Sequence, residues 1–307
     1  MSKLSVYFTT WSSRWTSDIN QFDLNNLPKK YPGLTMVLLS FCKPDLSYTR
    51  GQNSFSNTGL EFSHDFSLVK QAVLNLQKSG VSVLLSVGGG AYWSGTKSIN
   101  APALAALVSD LNLDGLDIDW EHNLAHNYEL TQAIQLIRPL IPGKLLGFAG
   151  WSTGAFTPQG TYQGMSIHAM QNAGHLVDFI NIMAYDAGPP SDYDPRKAID
   201  AYSSYYNGPL YLGFIIGTPG WGGHLLNMNE VVQNATYLKQ KSSKHGAFIW
   251  ADNKAGSPTD TQVIGKCREI FNVSSAPQQP TPQPPKPSAP KPSLSIKCGV
   301  CQTDFKI

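Results

Sequence analysis

Charge is scarce in this chain. Only 14% of its 307 residues are Asp, Glu, Lys or Arg, and the formal net charge is +2, whereas an average soluble domain carries about 25% charged residues. The basic residues are scattered, with short interrupted runs from Lys239 to Lys244 and from Lys286 to Lys297, so no nucleic-acid-binding face is expected. No stretch of about 18 apolar residues could cross a bilayer. No charged-then-apolar leader ending in small residues opens the chain. No membrane partner is therefore expected and no signal peptide is visible, although low charge and abundant Ser, Thr, Asn and Tyr lean toward an extracellular setting. Cysteine is sparse: Cys42, Cys267, Cys298 and Cys301 are too few for a disulfide framework. Cys298-Gly-Val-Cys301 has zinc-knuckle spacing but offers two of the four ligands a structural zinc requires, so no metal is expected. The dinucleotide fingerprint G-x-G-x-x-G does not follow the first apolar run, and no cofactor is expected. Asn234-Ala-Thr236 and Asn272-Val-Ser274 match the N-glycosylation pattern, which matters only in a secretory context.

Core-forming residues, by contrast, are plentiful. Hydrophobic residues make up 41% of the chain, with 13 Phe, 13 Tyr and 7 Trp. Short β-branched-rich runs alternate with amphipathic ones. Strands are expected at Leu4–Thr9, Leu34–Phe41, Val81–Val87, Gly115–Trp120, Lys144–Gly150, Val177–Tyr185, Leu210–Ile216 and Ala247–Trp250. Helical spacing is clearest over Asp65–Ser79, opened by an Asp suited to N-capping and closed by Gly80, and over Ala125–Leu140 and Asn229–Ser243. Eight buried strands alternating with helices specify an α/β fold, a (β/α)8 TIM barrel, better than an open sheet. After Phe271 the composition changes. Residues 276–292 read APQQPTPQPPKPSAPKP, a Pro-rich disordered linker of polyproline II character. The expected division is a barrel over 1–275, the linker over 276–292 and a short Cys-containing tail over 293–307.

The most informative segment is Asp114-Gly-Leu-Asp117-Ile-Asp119-Trp-Glu121 on the fourth strand. Side chains alternate along a strand, so Asp117, Asp119 and Glu121 share one face, opposite Leu116, Ile118 and Trp120. In a barrel this row rises inward to the C-terminal mouth, where active sites form. Asp114 has the wrong parity and is expected to serve the strand entry. Three like charges about 7 Å apart are costly to bury unless protons are retained, so at least one pKa should be raised. Glu121, the last before solvent, is best placed as a general acid. A hard divalent-cation site is an alternative use of three carboxylates, but the calcium-loop pattern is missing.

This segment closely resembles the DxxDxDxE signature of family 18 glycoside hydrolases, the chitinase family. Ser86-Val-Gly88-Gly89 resembles the family's SxGG, and Met183-Ala-Tyr185-Asp186 its MxYD. Trp250 ends the eighth strand where the family has a floor Trp, and Tyr7 to Trp11 and Ser40-Phe41 also look like family sequence. The resemblance spans roughly Leu4 to Phe271. It implies a retaining, substrate-assisted hydrolysis of β-1,4-linked N-acetylglucosamine, with chitin or chitooligosaccharides as partners. Glu121, Asp119, Asp117 and Tyr185 would be catalytic, and Trp250, Tyr7, Phe41, Met183, Asp186 and Trp93 would bind substrate, with barrel packing as the ordinary role of Met183. Trp151 and Trp221 are further candidates for flanking subsites; His122 and His126 lie near the mouth without an assigned role. One departure is Gly90, where deep-cleft members carry Trp. Only about thirty residues separate the seventh and eighth strands, room for a loop and one helix but not for the extra module of many processive members, so an open groove, endo-action and a monomer are expected. The alternatives are an endo-β-N-acetylglucosaminidase acting on N-glycans and a silent chitin-binding lectin, although the terminal acid that such lectins usually replace is intact here.

Overall fold

A computed structural model describes residues 2–92, 99–121, 127–160, 162–185, 193–220 and 224–274. Eight strands hydrogen-bond in chain order and close on themselves: β1 (Leu4–Thr9), β2 (Met36–Cys42), β3 (Ser82–Gly88), β4 (Gly115–Asp119), β5 (Leu145–Trp151), β6 (Phe179–Met183), β7 (Leu210–Ile215) and β8 (Gly246–Trp250). Every pairing is parallel. The helices are α1 (Asp23–Lys30), α2 (Phe66–Lys78), α3 (Ala101–Asp110), α4 (Asn127–Ile137), α5 (Ile167–Ala173), α6 (Pro195–Tyr205), α7 (Met228–Lys241) and α8 (Asp260–Phe271). One follows each strand, the (β/α)8 barrel expected of the alternating pattern. No helix among the described residues is long and apolar enough to cross a membrane. The proposed linker and tail, including Cys298 and Cys301, lie outside the described residues.

Period-two alternation divides the apolar side chains into two clusters. Val6, Phe8, Leu39, Leu85, Leu116 and Ile118 point outward to the helices. Tyr7, Met36, Leu38, Leu84, Phe179, Tyr211 and Phe248 fill the barrel, where large rings need small neighbours. A Cβ at Gly147 of β5 would stand 2.2 Å from Cζ of Phe179, so only Gly admits that ring. Two of the helices start on capping boxes, formed by Asn227 and Glu230 on α7 and by Thr259 and Gln262 on α8. Asp65 stands at the N-cap of α2 as expected, but its side chain makes no capping hydrogen bond.

The floor of the barrel carries a fourfold device. The residue before each even-numbered strand accepts a hydrogen bond from an N–H at the start of the preceding odd strand. Thr35 Oγ1 accepts from Leu4 at 2.8 Å and Asp114 Oδ2 from Val83 at 2.7 Å. Asp178 Oδ2 accepts from Leu146 at 2.9 Å and His245 Nδ1 from Leu210 at 3.0 Å. Each satisfies a backbone donor that the ladder would otherwise leave unpaired. Asp114 thus has the strand-entry role its parity suggests. Cys42 and Cys267 are buried free thiols. Asn234, the first residue of one glycosylation pattern, is buried within α7.

Candidate active site

The acidic row is built by β4. Asp117 and Asp119 are both buried inside the barrel, while Leu116, Ile118 and Trp120 pack outward. Asp117 sits beside Ser86 of β3 and Gly147 of β5, and Asp119 beside Gly88 and Ala149, so small neighbours leave room for the carboxyl groups.

Asp117 is held from three strands. Tyr7 Oη of β1 and Ser86 Oγ of β3 each donate to its Oδ2 at 2.9 Å. Asn181 Nδ2 of β6 reaches Oδ1 at 3.4 Å and donates to Tyr7 Oη at 3.0 Å. Burial pushes the Asp117 pKa up to about 6 against the opposing pull of the Ser86 and Tyr7 hydrogen bonds. Asp119 is raised well above the usual carboxylate range, first by burial, then by the charges of Glu121 and Asp117. The Tyr7 phenol is raised by burial and then by the same aspartates. Burial and neighbouring like charge thus both favour the protonated form of Asp119 in the crowded row.

Glu121 lies just past the strand and is half-exposed. Its Oε2 accepts from Trp151 Nε1 at 3.4 Å, and a Cβ on Gly90 would stand 3.5 Å from the same oxygen. Across the mouth, Trp250 of β8 stacks on Phe41 of β2, centroids 5.4 Å apart and planes 21° from parallel. Trp11 continues the stack at 6.3 Å from Phe41 and is 47% exposed. Tyr7 meets Trp250 edge-on at 5.6 Å from below. Tyr185, half-buried just after β6, meets Phe248 edge-on at 6.1 Å. Among the described residues no three His, Cys, Asp or Glu side chains are placed to hold a metal ion.

Residues 3–249 match the family described as glycosyl hydrolases family 18. The chain belongs to that family. It is 25% identical over 235 residues to chitinase 1 of the tulip Tulipa saxatilis subsp. bakeri, covering 67% of this chain and 69% of that one. It spans 60% of the length of a fungal chitinase that it also matches. Among solved structures, a family 18 chitinase from Pseudoalteromonas aurantia superposes with a TM-score of 0.66 at 22% identity, over 88% of this chain and all of that one. A fungal family 18 endo-β-N-acetylglucosaminidase superposes with a TM-score of 0.63 at 15% identity, over 89% and 98%. At these identities the structural likeness speaks for the fold.

Within this family 18 barrel the structure gathers Asp117, Asp119, Glu121, Tyr185, Trp250, Phe41 and Tyr7 at or just below one mouth. Tyr7 is 1% exposed beneath the mouth, and its hydroxyl donates to Asp117. Met183 is buried in the inner cluster. Trp93, Asp186, Trp221, His122 and His126 lie outside the described residues. Sequence reasoning passed over Asn181, although it shares the inward parity of Met183 and Tyr185. Ser86 stands in the sequence as one letter of the SxGG motif, and no sequence signal marks the indole of Trp151 as a partner of Glu121.

Proposed function

We propose that this family 18 hydrolase cleaves β-1,4-linked N-acetylglucosamine polymers such as chitin within the chain, with net retention, Glu121 donating the proton. The observation that carries this reading is the inward row of Asp117, Asp119 and Glu121, flanked by the aromatic faces of Trp250 and Phe41. Ordinary retaining glycosidases place a carboxylate nucleophile about 5–5.5 Å from the acid, across the scissile bond. A single row on one strand suits the substrate-assisted route instead. Glu121 protonates the glycosidic oxygen while the substrate's own 2-acetamido oxygen attacks the anomeric carbon, releasing the leaving sugar and forming a cyclic oxazolinium ion. Asp119 stabilises the acetamido N–H as positive charge develops, and Tyr185 hydrogen-bonds the acetamido group. Asp117, steadied by Tyr7, Ser86 and Asn181, balances the proton on Asp119. Glu121, now a base, takes a proton from water, which opens the ring with retention. Trp250 is the floor of the subsite for the distorted sugar; Trp93 and Asp186 are further contacts.

Endo-action is supported by the short connection from β7 to β8, in which α7 is the helix among the described residues. The second reading is release of N-glycans, a reaction that uses the same participation of the substrate's acetamido group. The deciding assay compares fluorophore release from chitooligosaccharides and from an N-glycopeptide, with Glu121→Gln beside the native enzyme. Turnover of chitooligosaccharides that Glu121→Gln abolishes supports the chitinase reading. Turnover of the glycopeptide alone supports the second, and undiminished turnover by Glu121→Gln overturns the acid assignment.

A further inference from the structure

In a closed barrel with strands in chain order, β1 and β5 stand opposite one another. Trp250, Phe41 and Trp11 occupy the β8–β1–β2 side of the mouth. The opposite side has its own aromatic pair: Trp151, the last residue of β5, and Tyr162, centroids 5.6 Å apart. Tyr162 is 62% exposed, more open than a ring needed only for packing, and Trp151 is half-buried with its indole N–H on Glu121 Oε2.

Both residues are held in place from behind. The Trp151 carbonyl accepts from the hydroxyl of Tyr202 of α6 at 2.8 Å, and that buried phenol also bonds Ser166 Oγ at 3.0 Å. Thr153 Oγ1 donates to the carbonyl of Tyr162. Gly164 N donates to the Thr153 carbonyl at 3.0 Å and Ser166 N to that of Gly154 at 2.8 Å. Trp151 is thus fixed by backbone and buried side chains independent of the acidic row, as a preorganised site requires.

We propose that Trp151 is a positioning and specificity-determining residue. Its N–H aims the Glu121 carboxyl at the glycosidic oxygen, and its ring, with Tyr162, receives the sugar on the leaving-group side. Gly90 itself places no side chain against Glu121, where a Cβ would stand 3.5 Å from Oε2, and among the described residues Trp151 of β5 brings its ring to that oxygen. An N–H donated to a carboxylate favours the ionised form. Removing it keeps Glu121 protonated to higher pH. Among the described residues, Asp119 and Asp117 lie beneath Glu121 on β4, and the Tyr7 phenol of β1 interacts electrostatically with both and with Tyr185 beyond β6; the substitutions at Trp151 leave all four side chains in place.

This inference rests on Glu121 being the acid. The experiment measures kcat and KM from pH 4 to 9 on chitooligosaccharides for native enzyme, Glu121→Gln, Trp151→Phe, Trp151→Ala, Tyr162→Ala and Tyr202→Phe. Trp151→Phe keeps a ring and loses the N–H. The alkaline limb of its kcat profile should move up by about half a pH unit or more, with KM nearly unchanged. Trp151→Ala should show the same move and raise KM roughly tenfold, and Tyr162→Ala should raise KM alone, in keeping with the worth of a lost aromatic face. Tyr202→Phe, remote from substrate, should reproduce the Trp151→Phe profile in weaker form. Profiles of Trp151→Phe and Trp151→Ala that overlay the native one, with KM unaltered, overturn the inference while leaving Glu121 as the acid. Full activity in Glu121→Gln removes its premise instead.

Discussion

Asp117 accepts hydrogen bonds from three strands yet keeps a pKa near 6, because burial outweighs its donors. Between its ordinary value of 3.8 and about 6 the folded chain holds a proton that the unfolded chain has released. Stability from this site is therefore greatest at low pH and falls as pH rises through that interval. Asp117→Asn deletes the charge and the decline with it. The variant should melt above the native protein at pH 7, by on the order of 1–3 kcal/mol, and the gap should close toward pH 4. Thermal melts at the two pH values decide it, and a gap that widens on acidification contradicts the assignment. Tyr7→Phe removes one donor to a buried carboxylate and should lower kcat/KM roughly 10- to 100-fold, because a hydrogen bond to a charged group is worth about 1.5–3 kcal/mol. Kinetics on a chitooligosaccharide would show it. Parity alone made the row legible, because inward and outward residues of a strand are fixed by its pleat. Phe41 was not legible on those terms. It shares the outward parity of Val37 and Leu39, but the pairing of β2 with β3 shifts between Leu39 and Cys42, and the ring joins the inner cluster.

The strands read from the sequence fall within about two residues of those observed, since each is a compact apolar run bounded by turn residues. Helices were harder. Of the eight, α2, α4 and α7 carry a long apolar stripe, whereas α1 has Pro28 within it and α5 is only 7 residues long. Neither gives a window long enough for 3.6-residue periodicity to stand out. The polar residues at the strand entries were equally opaque, except for Asp114, because each acts on a partner about thirty residues away. His245 is the titratable member of that set whose ring must stay neutral to accept from Leu210. Burial, then the charge of Lys244, pulls its pKa down to about 4 from 6.5. Its contribution is complete above pH 6.5 and is lost as pH falls toward 4. His245→Asn can present an amide oxygen to the same N–H without that liability. Its melting temperature should therefore rise relative to that of the native protein as pH falls from 6.5 to 4; parallel curves would refute this.

At the scale of the molecule, the seam of the barrel is where β1 meets β8 through Leu4–Ala247, Ser5–Phe248 and Val6–Ile249. Beyond those pairs the strands are joined by Asp252, whose Oδ1 accepts from Thr9 N at 2.9 Å and Thr9 Oγ1 at 3.1 Å. Asp252→Ala should cost roughly 1–3 kcal/mol in chemical denaturation and hasten amide exchange in β1 and β8 ahead of the other strands. The proposed division of the chain is tested by ending it at residue 275. Val273 is the last buried residue described, after α8 ends at Phe271, so that shortened chain should melt and turn over soluble oligosaccharide like the full one.

The fourfold device at the floor groups the strands in twos: Thr35 serves Leu4, Asp114 serves Val83, Asp178 serves Leu146 and His245 serves Leu210. Each β–α–β quarter therefore brings its own lock. Opening the backbone at Gly143, between the second and third quarters, leaves every lock within one fragment. Opening it at Asn112 parts Asp114 from Val83. Co-expressed fragments of the first kind should reassemble into a working cylinder and those of the second should not, so the route by which this barrel could be cut, shuffled or grown runs between its quarters.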